Sequence, residues 1–234
     1  MVPVGGTIRA RWTYRRIGSA RTTSATAPFL RQRLGHIQKF SQRKGIPLLE
    51  RLDTSLPGVF ELRLKVIHDS RGFFFETYQR DRFADLGIAD IFVQDNQSRS
   101  AKGTVRGLHY QLHRPQSKLC RVVEGEALDV AVDIRLGSPH FGKWTSVLLS
   151  AKEHNQIYIP GGFAHGFLAL TESVQFLYKC GDFYDSADQH GIVWNDPSLD
   201  ISWGAKDPLV SYKDARHPTL TAAPRELLPR YPAK

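Results

Sequence analysis

From Pro47 onward, short runs rich in Val, Ile, Leu, Phe and Tyr recur along the chain. Each is closed by a turn signal: SLPG, DSRG, RSAKG, RLGSPHFG, IPGG, DFYDSADQHG and NDPS. Short strands at such regular spacing, punctuated by Gly, Pro, Asn and Asp, predict an all-β antiparallel sandwich or barrel. The stretch from Ala127 to Ile134 (ALDVAVDI) alternates cleanly. Val130, Val132 and Ile134 fall on one face, and Asp129, Ala131 and Asp133 on the other. Ser173 to Lys179 (SVQFLYK) reads as a further strand, and short helices are expected at Asp81 to Leu86 and Pro224 to Leu228. The chain has no internal repeat, no Gly-rich phosphate loop and no Rossmann fingerprint, which argues against a tightly held dinucleotide.

Met1 to roughly Gly45 lacks this patterning. The chain therefore divides into a basic extension, residues 1–46, and a folded domain, residues 47–234. Residues 1–49 hold ten Arg or Lys and no acid, which leaves 22 basic against all 23 acidic residues in the remainder. The net charge of +9 belongs to the extension rather than to the folded body. Such a composition buries too little apolar surface to offset its ordering entropy, so a disordered or loosely packed arm is expected. An Arg/Ser-rich, acid-poor leader also resembles a transit peptide, and an upstream start is the plainer reading. The body lacks the basic, aromatic-interleaved face that nucleic-acid binding requires. No apolar run approaches the roughly 18 residues of a membrane span. Two cysteines, Cys120 and Cys180, are too few for a disulfide framework and fit a reducing cytoplasm.

Candidate chemistry concentrates in VRGLHYQLHRPQSK, which places Arg106, His109, His113, Arg114 and Lys118 on one strand and its exit loop. Strand alternation puts His109 and Gln111 on one face but sends Arg106 to the other. A bulge at Gly107 would bring Arg106 and His109 to a common cavity. Asp129 and Asp133 belong on a solvated outer face, or on the wall of a ligand cavity if the barrel encloses one. A metal-dependent cupin oxygenase fits this pattern only in part. Pro160, Gly162 and His165 match the later half of the cupin metal motif, but the paired histidines and Glu of the first half are missing. Nearby Lys118 and Arg114 would also repel a cation, so no metal is expected.

SRGFFFETY, FVQDNQSRS, GTVRGLHYQ, ALDVAVDIR, IPGGFAHGFLAL, FLYK, GIVWNDPSLDISW and SYKD occur in the order seen in dTDP-4-dehydrorhamnose 3,5-epimerases, and the chain resembles that family from about Pro47 to its end. The resemblance implies a double-stranded β-helix, the cupin or jelly-roll barrel, with a few short helices. It implies an isomerase without cofactor that acts on a dTDP-linked 4-keto-6-deoxy sugar and works as a homodimer. His109 matches the general base, Asp214 the carboxylate orienting it, and Tyr178 the acid on the opposite face. Arg106 and Lys118 match the enolate stabilisers, and His165 with Asp129 a second polar pair. Arg71, Phe74, Glu76, Gln94 and Asn96 match the nucleotide-binding set, which in the family can reach the neighbouring subunit's site. One position departs from the pattern: Phe183 stands where the family often has a tyrosine near the sugar. That leaves open a mono-epimerase, or a ketoisomerase, on the same nucleotide sugar. A non-catalytic sugar-nucleotide-binding barrel is the alternative of a different class.

Overall fold

The computed structural model of the chain describes residues 48–232, so the expected extension at 1–46 lies outside the described residues. Two six-stranded sheets face each other. The first runs from edge to edge as β1 (Leu49–Asp53), β2 (Phe60–Leu64), β10 (Gln156–Ile159), β7 (Lys118–Glu124), β12 (Ser173–Cys180) and β5 (Gln94–Ala101). The second runs as β13 (Gln189–Gly191), β6 (Thr104–Gln111), β11 (Phe163–Ala169), β8 (Glu126–Asp133) and β9 (Trp144–Ser150). Within it β14 (Leu209–Val210) joins β6 in parallel, while the ladders between the other strands are antiparallel. Neighbours in space come from distant parts of the chain, with β7 between β10 and β12 and β8 between β11 and β9. This is the expected cupin-type β-fold. A small hairpin of β3 (Ile67–Asp69) and β4 (Gly72–Phe74) stands apart from both sheets.

Apolar residues fill three layers. Between the sheets, Cys120, Val122, Ile157 and Phe176 of the first meet Ala131, Leu149, Phe163 and Phe167 of the second. Phe167 and Phe176 stack flat across the gap, with centroids 4.1 Å apart and planes 2° from parallel. Behind the second sheet, Leu108, Val130, Val132 and Ile134 pack on Trp203, Leu220 and Leu228 of the C-terminal segment. Behind the first, Phe60, Leu62, Leu119 and Tyr158 cover Phe83 and Ile88.

Helix α1 (Arg80–Asp85) carries Phe83 into that last layer and begins within one residue of its expected place. Its cap is Gln79, whose side chain accepts from Arg82 N at 2.7 Å. The expected helix at Pro224–Leu228 is only a 3-10 turn at Arg225–Leu227. Pro229 drives Leu228 into an extended conformation, with ψ at 137°, and ends the turn there.

The strand at Ala127–Ile134 decides between the two places left open for its acids. Its polar face is not solvated, because Asp129 and Asp133 are both completely buried. The apolar face packs against the C-terminal segment, and the face carrying Asp129 turns inward between the sheets. Asp133 is spent on structure, since it binds Arg135 through two oxygens and accepts from Ser138 Oγ at 2.6 Å.

Candidate active site

A cavity of about 690 Å³ opens between the sheets, walled by β5, β6, β7, β11 and β12 and by the segment that follows β14. Its size suits a ligand of nucleotide-sugar dimensions. Arg106 and His109 both line it, and the reason lies in β6. The ladder to β11 pairs His165 with His109 and Phe167 with Arg106, so three steps on β6 face two on β11. The extra residue is the bulge expected at Gly107, and it reverses which alternate residues point inward. Thr104, Arg106, His109 and Gln111 line the cavity, while Leu108 packs in the layer behind. Only glycine fits there: φ is +113°, and a Cβ would lie 2.6 Å from His165 O and 2.7 Å from Gly166 Cα.

His109 Nε2 lies 2.8 Å from Asp214 Oδ1, and Gly107 N donates to Asp214 Oδ2 at 3.1 Å. Burial alone would push the Asp214 carboxyl up. The hydrogen bond and charge of His109, the Gly107 N–H and Ser211 together hold it below the usual carboxylate range. An ionised Asp214 fixes His109 as the Nε2–H tautomer, leaving the Nδ1 lone pair free.

On the opposite sheet, Tyr178 of β12 lines the cavity. Burial pushes its phenol up to about 12, with the sulfurs of Cys180 and Cys120 adding to this against the Arg106 charge. It therefore stays protonated at neutral pH. Lys118 of β7 is only 9 % exposed, and its Nζ has Gln116 Oε1 as a hydrogen-bond partner at 3.2 Å. Burial pulls the Lys118 ammonium below its usual range, and the site's sulfurs and Asp129 draw it back. Arg106 is anchored by Ser100 Oγ at 3.0 Å and by Arg99 O. Arg106, Lys118 and the Tyr178 phenol thus share one cavity with the imidazole of His109.

His165 Nε2 binds both oxygens of the buried Asp129, at 3.0 and 2.9 Å, with Cys120 Sγ at 3.9 Å. His165 also lines the cavity. Gln94 and Asn96 of β5 line it as well and join through Gln94 Nε2 donating to Asn96 Oδ1 at 3.1 Å. The other three expected nucleotide residues lie elsewhere. Arg71 pairs with Asp69 on the β3–β4 hairpin, Phe74 is exposed, and Glu76 pairs with Arg82. None of the three lines this cavity.

Phe183 also lies outside the cavity, against the guanidinium of Arg114. Its neighbour Tyr184 lines the cavity, with its hydroxyl donating to Gln189 Oε1 at 3.0 Å. The missing hydroxyl at Phe183 therefore removes nothing from the cavity wall. His113 and Arg114 serve the loop, since their backbone N–H groups donate to Asp188. Sequence reading passed over Lys213 and His217. Lys213 lines the cavity beside Asp214, and its place in SYKD was the available signal. His217 lies in no motif.

The family model described as dTDP-4-dehydrorhamnose 3,5-epimerase matches residues 53–222. A Pseudomonas aeruginosa protein of that description is 51% identical over 162 residues, 68% of this chain and 90% of its own length. A Neisseria gonorrhoeae protein of the same description is 48% identical over 185 residues, 78% of this chain, which spans 56% of that longer protein. Among solved structures, dTDP-6-deoxy-D-glucose-3,5-epimerase from Legionella pneumophila, in complex with dTDP-4-keto-L-rhamnose, is similar at 46% identity and a TM-score of 0.77. That match covers 79% of this chain and 100% of the other.

Proposed function

Because the chain belongs to the dTDP-4-dehydrorhamnose 3,5-epimerase family, we propose that its cavity inverts carbons 3 and 5 of a dTDP-linked 4-keto-6-deoxyhexose. The single observation that carries this reading is the opposition of His109, oriented by Asp214, on one sheet to Tyr178 on the other. The 4-keto group acidifies the hydrogens on the adjacent carbons. His109 Nδ1 takes one of them as a proton, and the C–H electron pair moves to the ketone oxygen as an enolate. Arg106 and Lys118 stabilise that oxygen, and preorganised donors of this kind contribute about 3 kcal/mol to such a step. Tyr178 O–H then gives a proton to the other face of the carbon, and the centre is inverted. Solvent removes the proton from His109 and restores the one on Tyr178, so the cycle needs no redox partner. His165 meets the sugar hydroxyls, and Asp129, buried behind it and outside the cavity wall, orients its ring.

Gln94 and Asn96 hold the nucleotide end from within the cavity. Arg71, Phe74 and Glu76 complete the site of a neighbouring copy, which makes the working unit a homodimer. Support comes from the hairpin that carries them, which stands off both sheets and exposes Ile67, Phe73 and Phe74. Residues 47–234 are sufficient for the activity, so removing residues 1–45 leaves it intact. No helix among the described residues is long and apolar enough to cross a membrane. Both cysteines are free and buried, which suits a cytoplasmic enzyme.

The experiment is to follow solvent deuterium into the sugar by proton NMR. The wild-type protein should label carbons 3 and 5, and His109→Ala should label neither. Normal labelling in that variant would refute the role of His109.

A further inference from the structure

His217 stands against the proposed base on a side that the reaction above leaves unused. Its ring meets His109 edge to face, with centroids 5.9 Å apart and planes at 78°. Its Nε2 lies 3.8 Å from Asp214 Oδ1, the oxygen that already binds His109. That Nε2 is covered and has no hydrogen-bond partner. Among the described residues it is the one buried side-chain nitrogen in that condition. Buried polar atoms are ordinarily paired, so an unmet nitrogen beside a carboxylate calls for a reason.

The surrounding chain is shaped to put the ring there. Gly191 of β13 is the register partner of His109, and a Cβ on it would come within 2.4 Å of the His217 ring. The space beside the base that a side chain of β13 would occupy is thus given to an imidazole. His217 follows directly on the 3-10 turn Asp214–Arg216, and Pro218 after it favours its extended backbone, with ψ at 150°. The titratable groups around it are His109 from β6, Asp214 and Lys213 from its own segment, and His190 from β13. Burial, then the nearby charge of His109, hold His217 below the usual histidine range, so it is neutral when the enzyme works.

We infer that His217 is a positioning residue for the base, its Nε2–H acting as a dipole on Asp214 Oδ1 across 3.8 Å, beside the hydrogen bond that His109 makes to the same oxygen. This rests on the reading of His109 as the base. A carboxylate reserved for one imidazole would trap that imidazole as the imidazolium. One that also feels the N–H dipole of His217 still orients His109 but holds its proton less firmly.

The test compares pH profiles of solvent exchange for wild type, His217→Phe and His217→Gln. The phenyl ring keeps the volume and excludes water but cannot donate, so the acid limb should move to higher pH. A shift of about half a unit corresponds to a roughly threefold loss of kcat/KM below the limb. Gln keeps a donor, and its acid limb should stay at the wild-type position. A His217→Phe profile with an unmoved limb, whether or not the rate falls, would reduce His217 to a space-filler. Should the variants fail to fold, nitrogen NMR of histidine-labelled wild-type protein decides. The proton should be found on His217 Nε2, and an Nδ1–H tautomer would overturn the inference. Absence of exchange in wild type would instead defeat the epimerase reading, and the tautomer would still be decisive for His217.

Discussion

His109 and Asp214 are 105 residues apart in the chain, yet their side chains meet at 2.8 Å with the second carboxylate oxygen held by the N–H of Gly107. The bulge that turns His109 inward thereby supplies a donor to the group that orients it. Asp214→Asn keeps the shape but removes the charge that stabilises the imidazolium. Turnover should fall by about 10²- to 10⁴-fold while substrate affinity changes little, as steady-state kinetics would show.

Tyr178→Phe separates the two halves of the reaction. In the proposed reaction His109 alone removes the sugar proton, so solvent deuterium should still enter the substrate. In the same proposed reaction the inverting proton comes from Tyr178, so epimerised product should fall by about 10²-fold or more. Proton NMR reads both quantities from one sample, and loss of exchange and inversion together would contradict the division of labour.

Gly107→Ala addresses the bulge itself. A methyl group 2.6 Å from His165 O, at a φ of +113°, has no room without backbone movement. The variant should lose about 2 kcal/mol or more in chemical denaturation, together with most of its activity. A stable, active variant would mean that the strand can close up without glycine.

Arg71→Ala tests whether the hairpin serves a neighbouring copy. Loss of a charged hydrogen bond to phosphate should raise the substrate KM about 10- to 100-fold with little change in kcat. Mixed with His109→Ala protein and allowed to exchange subunits, it should regain activity as hybrid dimers form with one intact site. No recovery, with hybrids verified by native mass spectrometry, would assign Arg71 to its own chain's site.

Asp188 receives the backbone N–H groups of Leu112, His113 and Arg114 and thereby fixes the loop between β6 and Lys118. Burial raises its carboxyl, but those three donors outweigh this and hold it below the usual range. A carboxyl depressed on folding stabilises the protein above the unfolded value, about 4, and this is lost as pH falls through the lower folded value. Asp188→Ala should cost about 3 kcal/mol at neutral pH, and the melting curves of variant and wild type should converge in acid.

Much of this was legible locally. The alternation of ALDVAVDI gave a strand and its two faces, and Gly107 between Arg106 and His109 gave the bulge. Which face is dry was not legible. Asp129 and Asp133 stayed between a solvated face and a cavity wall because one strand carries no information about the sheet opposite it. Asp214 was beyond local reading for the same reason, since a partner a hundred residues away leaves no period in the sequence; the family resemblance supplied it. His217 escaped both routes, because its place depends on an absent side chain at Gly191. Phe183 shows the reverse error: the departure sits in sequence beside Tyr184, but its ring turns toward Arg114.

The stacked rings of Phe167 and Phe176 bear on stereochemistry. The proposed base hangs from one sheet and the proposed acid from the other, so on that reading the handedness of the product is a property of the gap between the layers. Two flat rings 4.1 Å apart, one from each sheet, act as a spacer that sets that gap. A smaller residue at either position would leave every reacting group intact and yet loosen the caliper. Protons could then leave and return on the same side, and the enzyme would err in outcome before it slowed in rate.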